Sequence, residues 1–386
     1  MPEYPKFEFS KKEVKRAGKA LKGHLYPTGS NQEELHRIFK VANNWRASHA
    51  LPMRSVRSTV SAKINSLSLQ GVTAARLKTM PSIREKLSRL PGGLNQLQDL
   101  GGVRAVVGSI EDVEKLVNGF QDSFKHELGR VDDYITSPKV GGYRSFHLVS
   151  GFKADEEKKD FDGRLIEIQV RTRLQHSWAT AVEAVGLIKE QDMKAGKGDK
   201  GWLRFFELMS AEFAYAEGCP IRDELPEQAE RMDEINRLND QLKAMTILND
   251  IRHASEAIET VKTGKEKPAF YLLEYDHKKK TVNATAKYHE VIEFDDYGQR
   301  ERENYEEGKE MRRTVLVEAD KVGDLKKAYP NYFGDVVYFL QNLERITQGE
   351  SAREYEMPPH YKTPPIKEMS IDPRWMYGSK RKNPWS

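Results

Sequence analysis

Four segments of the chain gather ionisable side chains in a way that packing a core does not require. The first is Arg76-Leu77-Lys78, followed by Ser82 and Lys86. The second is Gln98-Asp99-Leu100-Gly101-Gly102-Val103-Arg104, which sets an acid at the mouth of an apolar run. The third runs from Asp132-Asp133-Tyr134 through Pro138-Lys139-Val140-Gly141-Gly142-Tyr143-Arg144-Ser145-Phe146 to His147. The fourth is Glu167-Ile168-Gln169-Val170-Arg171-Thr172, with His176 and Trp178 beyond it. Two carboxylates, Asp99 and Glu167, thus stand among many guanidinium and ammonium groups. That combination suits a divalent cation held jointly by protein carboxylates and a polyphosphate. The cations would neutralise the phosphates, and a Gly-flanked tyrosine could stack on a base. Any one segment alone reads as a strand ending in charge; the four together carry the inference.

The elements that must position these groups are mixed α/β from about residue 50 to 215. RLKTMPSIREKLSRL is amphipathic and stops at Pro91-Gly92-Gly93, which puts Ser82 and Lys86 on the helix that follows Arg76-Leu77-Lys78. GGVRAVVGS, GYRSFHLVSGF and RLIEIQVRT are strand-like, whereas LQHSWATAVEAVGLIKE and GWLRFFELMSAEFAYAEG are helical. In the third strand Ile166, Ile168 and Val170 share one face and Glu167, Gln169 and Arg171 the other, the pattern of a strand that roofs a polar cavity. Residues 226–262 read as one long helix with Ile235, Leu238, Leu242 and Met245 on a common face. After Pro268 come AFYLLEYD, KTVNATAKY, HEVIEFDD and RTVLVEAD, expected to form a small antiparallel sheet, and then the helix DVVYFLQNLERIT. Past Gly349 prolines cluster, as in an extended tail.

At 386 residues the chain has length for two or three domains. Its 63 basic and 59 acidic residues leave a net +4, too balanced for a protein that coats nucleic acid, although a local basic patch remains open. One such patch is at the start. In KKEVKRAGKALKGHL, Lys11, Lys12, Lys15, Lys19 and Lys22 fall on one helical arc, opposite Val14, Ala17, Leu21 and Leu25. Read in isolation it is a solvated face; an RNA backbone is the functional alternative. Charged residues make up 32% and no run is long and apolar enough to cross a bilayer, so no membrane partner is expected. The lone Cys219 excludes an internal disulfide or a cysteine zinc site and points to a reduced, cytoplasmic setting. Two decoys fall away. Gly196-Lys197-Gly198-Asp199-Lys200-Gly201 spells GxGxxG without a preceding strand, and no P-loop or HExxH occurs.

The order RxK…SxxxK…QDLGGVRAVV…DDYI…PK…GYRSFH…EIQVRT…QHSWA resembles the RelA/SpoT nucleotide pyrophosphokinase family over roughly residues 50–215. The resemblance implies a mixed β-sheet flanked by helices. It implies Mg-dependent transfer of the β,γ-pyrophosphate of ATP to a ribose 3′-hydroxyl. The family's adenine-stacking arginine falls on Arg76. Phosphate-binding groups fall on Lys78, Ser82, Lys86, Arg104 and Lys139. The Mg ligand falls on Asp99, and Glu167 matches the carboxylate that binds metal or activates the hydroxyl. Tyr143 matches the tyrosine that stacks on the acceptor base, and His147, Gln169 and Arg171 complete the pocket. Two positions depart from the pattern. Asp132 stands where one branch has Lys. Gly141 stands where alarmone-making members often carry Asn, which removes hydrogen bonds a guanine-specific pocket would use.

No His-Asp hydrolase motif precedes this region. Residues 226–345 resemble the antitoxin half of the fused toxin–antitoxin branch known as CapRel: a helical anchor and a small β domain shaped like a zinc finger without its cysteines. Tyr329-Pro330-Asn331-Tyr332 is similar to the YxxY motif that fills the adenine side of the ATP pocket in that branch, where two aromatics can stack on Arg76. The implied organisation is a basic helical segment 1–48, a pyrophosphokinase domain 49–220, a helical anchor 221–268, a β regulatory domain 269–347 and a Pro-rich tail 348–386. The expected activity is self-inhibited pyrophosphorylation of the 3′-terminal adenosine of tRNA, with Lys12, Lys15, Lys19 and Lys22 on the RNA and a phage protein, such as a capsid protein, as trigger. The alternative acceptor is GDP or GTP, giving (p)ppGpp. A third reading is an inactive nucleotide- or RNA-binding regulator, against which the intact Asp99 and Glu167 argue.

Overall fold

A mixed sheet of eight strands runs through the protein in the order β3-β4-β5-β2-β1-β8-β6-β7. The computed structural model describes residues 4–23, 32–189, 191, 193, 196–256, 270–276, 281–287, 298–299, 312–318 and 336–353. Five strands form the half that carries the candidate site: β1 (Gly71–Leu77), β2 (Gly101–Val107), β3 (Glu127–Asp133), β4 (Phe146–Gly151) and β5 (Leu165–Thr172). Only β2 and β5 are parallel; β1–β2, β4–β5 and β3–β4 are antiparallel. The alternation read in β5 is realised. Ile166, Ile168 and Val170 are fully buried, with Val103, Ala105 and Leu148 in the same core. Each such side chain taken from water contributes about 1.5–3 kcal/mol. Helices α3 (Ala50–Ser66) and α5 (Ile110–Asp122) supply Met53, Val56, Val60, Leu116 and Phe120 to that core.

Over the other end lies an aromatic core built from α6 (Arg173–Ile188), α7 (Lys200–Ala216), α8 (Gln228–Leu242), α9 (Ala244–Glu256) and α10 (Val337–Thr347). Phe339 of α10 meets the rings of Phe205, Phe206 and Phe213. A buried ion pair, Arg231 to Glu212 at 2.7 Å, docks α8 on α7. The single long helix expected over 226–262 is instead two. Lys243 has φ +52°, a left-handed conformation that ends α8 before α9 begins. Ile235 is nevertheless buried, with Leu238, Leu242 and Met245 packed beside it, so the periodicity marked the right face.

Helix α4 (Met80–Arg89) carries Ser82 and Lys86 as expected, and Arg76 and Leu77 before it belong to β1. Thr79 caps α4 and Pro81 sits in its first turn, which is where the chain leaves the extended form. The N-terminal helix α1 (Lys11–Leu21) buries Val14, Ala17 and Leu21, packs with α2 (Gln32–Ala47), and exposes its lysines. Leu25 lies outside the described residues, as do HEVIEFDD and the residues past Arg353. The C-terminal strands β6 (Phe270–Asp276), β7 (Thr281–Lys287) and β8 (Arg312–Glu318) are antiparallel to one another, as expected. They do not stand as a separate sheet: β8 pairs with β1, Ala75 against Glu318 and Arg76 against Val317. All these elements fall in one unit, residues 1–355; the second, 356–386, lies outside the described residues. Among the described residues no helix is long and apolar enough to cross a membrane.

The fold also stores a proton-linked weakness. Burial, with the charge of Arg164 nearby, pushes the His49 imidazole down to about 3. Its folded value lies below the unfolded one of about 6.5, so the unfolded chain takes up the proton first. The stability is fully present above pH 6.5 and drains as pH falls toward 3, by up to about 1.4 kcal/mol per pH unit. Urea melts between pH 7 and 4.5 are expected to show this loss, and His49→Gln to flatten it.

Candidate active site

Cross-strand pairing lines the polar residues up in rows. Arg76 (β1) pairs with Gly102 (β2), and Gly102 with Glu167 (β5). In the next row Arg104 pairs with Gln169, Gln169 with His147 on β4, and His147 with Asp132 on β3. Paired residues share a face, so five strand residues named from the sequence, Arg76, Arg104, His147, Glu167 and Gln169, occupy one side of the sheet. Gly102 keeps the floor between Arg76 and Glu167 open. A Cβ there would come no nearer to another residue than 3.8 Å, from the Arg76 carbonyl.

At the Arg76 end the cations gather round one acid. Lys78 Nζ lies 3.0 Å and Lys86 Nζ 2.6 Å from Asp99 Oδ2. Asp99 is only 11% exposed, and its other oxygen, Oδ1, is buried with no hydrogen-bond partner among the described residues. Burial lowers the Lys78 ammonium, Asp99 works against that, and the charges of Lys86 and Arg76 lower it further, which places all four groups in one electrostatic cluster. Ser82 stands in the first turn of α4, where the Thr79 hydroxyl donates to its Oγ at 2.9 Å. One turn later on the same face comes Lys86. A helix start flanked by Lys78 and Lys86 is a ready anion site. Arg46, fully buried on α2, donates to the Lys78 carbonyl at 3.2 Å and so fixes that lysine's backbone.

Glu167 is the link to the second half. His147 Nδ1 lies 3.1 Å from its Oε1, and Gln169 Nε2 donates to its Oε2 at 2.6 Å. Burial alone would raise this carboxyl. The His147 and Gln169 hydrogen bonds and the charge of Lys86 hold it well below the carboxylate range instead. Burial disfavours the charged form of His147, but the Tyr143 oxygen and Glu167 together raise it. Tyr143 Oη sits 2.8 Å from His147 Nε2 and accepts from Arg171 Nη2 at 2.6 Å.

Tyr143, expected as an open stacking platform, is only 6% exposed. Lys139 Nζ lies 5.2 Å from its ring centroid and Arg171 is also over the ring at 5.2 Å. The half-exposed aromatic here is Tyr134, with Lys139 Nζ at 4.0 Å from its centroid and His147 edge-on at 5.2 Å. Its place beside Asp133, which caps the turn at Ile135 and Thr136, was the available signal. Asp132 is taken up by Arg130 at 2.9 Å. The loop beneath is clamped. Gly142 has φ +91°, and a Cβ there would come within 2.6 Å of Ser210 Cβ, so no larger residue fits. Arg144, in the same motif, is structural: it donates to the carbonyls of Ile135 at 2.6 Å and Pro220 at 2.7 Å. Gly141 also has φ +91°, and a Cβ placed there would meet nothing within 4 Å, so the pocket has no side chain at that point.

Lys11, Lys12, Lys15 and Lys19 on α1 are exposed, and Lys22, exposed just past its end, donates to the carbonyls of Leu90 and Pro91 beyond the end of α4. Tyr329 and Tyr332 lie outside the described residues.

Residues 75–192, which carry almost all of these groups, match the model of a family described as a region found in RelA / SpoT proteins. A GTP pyrophosphokinase of Escherichia coli K12 is 24% identical over 211 residues, 53% of this chain and 26% of that protein. The GTP pyrophosphokinase YwaC of Bacillus subtilis is 31% identical over 114 residues, 28% of this chain and 54% of YwaC. The chain therefore spans between a quarter and about half of the length of these relatives. Among solved structures, the small alarmone synthetase 2 of Bacillus subtilis is 22% identical, with a TM-score of 0.36, covering 44% of this chain and 92% of that one.

Proposed function

We propose, from the RelA/SpoT region at 75–192, that the protein is an ATP-dependent pyrophosphokinase that passes the β,γ-pyrophosphate of ATP to a ribose 3′-hydroxyl. The observation that carries this is the two-part site. A cluster of Arg76, Lys78, Ser82 and Lys86 round Asp99 suits a triphosphate, and Glu167 stands beside it at the entrance to an aromatic half. The buried Asp99 oxygen without a partner fits a hard cation, and Glu167 keeps spare lone pairs beyond its two hydrogen bonds. Among the described residues no three His, Cys, Asp or Glu side chains converge as a self-sufficient metal site, so Asp99 would share Mg²⁺ with phosphate oxygens, its usual mode. Mg²⁺ bound there would neutralise charge developing on the transferred group. Arg76 stacks on the adenine, and Lys78 and Lys86 draw charge from the phosphates. Glu167, ionised, accepts the hydrogen bond of the acceptor hydroxyl and holds its oxygen in line.

For the acceptor, we infer the 3′-terminal adenosine of tRNA. Gly141 leaves the pocket without a side chain to read a guanine edge, and α1 presents an exposed lysine face. Charge reversal at Lys12, Lys15 and Lys19 should then weaken tRNA modification and flatten its salt dependence, each lost phosphate contact lowering the log–log slope by about 0.7–0.9. The names of the relatives favour a second acceptor, GDP or GTP. Incubating the full chain, and the same chain with Tyr329 and Tyr332 replaced by Ala, with γ-labelled ATP and either tRNA or GDP/GTP separates the two: the product that takes the label identifies the acceptor, and no label from either protein refutes the enzyme. The role that follows is arrest of translation, held off by the C-terminal half through Tyr329 and Tyr332 on Arg76 and released when a phage protein binds that half.

A further inference from the structure

Arg171 is fully buried on β5, yet no carboxylate among the described residues pairs with it. Its partners are neutral: Ser145 Oγ at 3.2 Å, Tyr143 Oη at 2.6 Å and Gln169 Oε1 at 2.7 Å. Its Nη1 has no hydrogen-bond partner among the described residues. A guanidinium cannot shed its charge, and burying one without a counter-ion costs stability. A residue kept on those terms has to act on something, and the hydrogen bonds show on what.

Two arms leave Arg171 Nη2 and end on the same carboxylate. One passes through Tyr143 Oη and His147 to Glu167 Oε1, with steps of 2.6, 2.8 and 3.1 Å. The other passes through Gln169 to Glu167 Oε2, with steps of 2.7 and 2.6 Å. Five side chains close a ring. Arg171 can only donate, and that sets the polarity of both arms. The Gln169 carbonyl must face Arg171, which turns its NH₂ toward Glu167. The Tyr143 oxygen must accept from Arg171, which holds the hydroxyl against His147 Nε2, while Nδ1 points its proton at Glu167.

We propose that Arg171 is a positioning residue for the transfer: through Tyr143–His147 and through Gln169 it fixes both oxygens of Glu167, leaving their remaining lone pairs directed at the acceptor hydroxyl. This rests on the reading of Glu167 given above. Without Arg171 the Gln169 carbonyl and the Tyr143 oxygen lose the donor that anchors them, and the carboxylate they hold loses its fixed orientation. Misplacement by about 1 Å costs on the order of 100-fold in rate.

The test is Arg171→Met and Arg171→Lys in the full chain, with ATP and acceptor titrated separately and thermal melts run alongside. Arg171→Met should lower kcat about 100-fold with the KM for ATP within about twofold. Its Tm should fall by no more than about 2 °C, because the uncompensated charge leaves with the side chain. Arg171→Lys, which retains a donating cation, should recover about tenfold of the loss. A wild-type kcat in Arg171→Met overturns the proposal. Should Arg171→Met not fold, Tyr143→Phe and Gln169→Met each cut one arm; both must lower kcat, and either at wild-type rate overturns the ring. If the chain labels no acceptor even with Tyr329 and Tyr332 replaced by Ala, the functional reading fails by itself. The ring is then judged by a crystal structure of Arg171→Met, where an unmoved Glu167 counts against it.

Discussion

Asp99→Asn is expected to abolish pyrophosphate transfer, with kcat down by at least about 10³-fold and the fold intact. Asp99 Oδ2 takes both the Lys78 and the Lys86 ammonium groups, and Oδ1 is buried with no partner among the described residues. The amide replaces an anion between cations by a neutral group whose NH₂ faces them. Lys78, already lowered by burial, loses the carboxylate that opposes that shift. The cluster still attracts a polyphosphate, so ATP should bind the variant in the absence of Mg²⁺. What disappears is the carboxylate oxygen that a hard cation needs. Adding Mg²⁺ to the ATP complex should therefore raise the Tm of the wild type and leave that of Asp99→Asn unchanged. Glu167→Gln should be equally inactive but keep the Mg²⁺ response. Full transfer by Asp99→Asn would falsify the assignment of the site.

The donor half of the site could be read from the sequence because its residues sit close together along the chain. Lys78, Ser82 and Lys86 are spaced by one helical turn, and Asp99 opens a strand whose apolar run is unmistakable. The face of β5 followed from period-two alternation alone. Where propensity misled, tertiary pairing had decided the outcome. Arg76 and Leu77 continue an amphipathic pattern into α4, but pairing with β2 holds both extended, and β8 pairs with Arg76 from the other side. Strand β3 was missed because GRVDD is polar and exposed; it exists by pairing with β4, bulge included. The ring from Arg171 to Glu167 joins residues up to 28 positions apart, and nothing local announces which side chains meet. The same holds for Arg46, whose bond to Lys78 spans 32 positions. The break at Lys243 rests on a left-handed lysine, a conformation that composition does not signal.

Replacing Tyr329 and Tyr332 together by Ala is expected to make the protein toxic to its host without any trigger. Strand β8 ends at Glu318, paired with Ala75 beside Arg76, and Tyr329 follows eleven residues later. An extended chain covers at most about 3.6 Å per residue, so Tyr329 is tethered within about 40 Å of Arg76. A short tether gives an effective concentration in the millimolar range, enough for a weak contact to compete with ATP. To be tolerated the pocket must be closed about 99% of the time, which needs roughly 2.7 kcal/mol. A cation–π contact contributes about 0.5–2 kcal/mol, so two tyrosines on one guanidinium suffice and one does not, and either single Ala variant should be only partly toxic. A trigger has to favour the open form by a similar amount or slightly more. Growth on induction, with and without Asp99→Asn in the same chain, is the measurement. The added Asp99→Asn should restore growth, which ties the toxicity to transfer rather than to misfolding. A double Ala variant that is folded and harmless would show that the tyrosines hold nothing closed. The pairing of β8 with β1 would then be only an extension of the sheet.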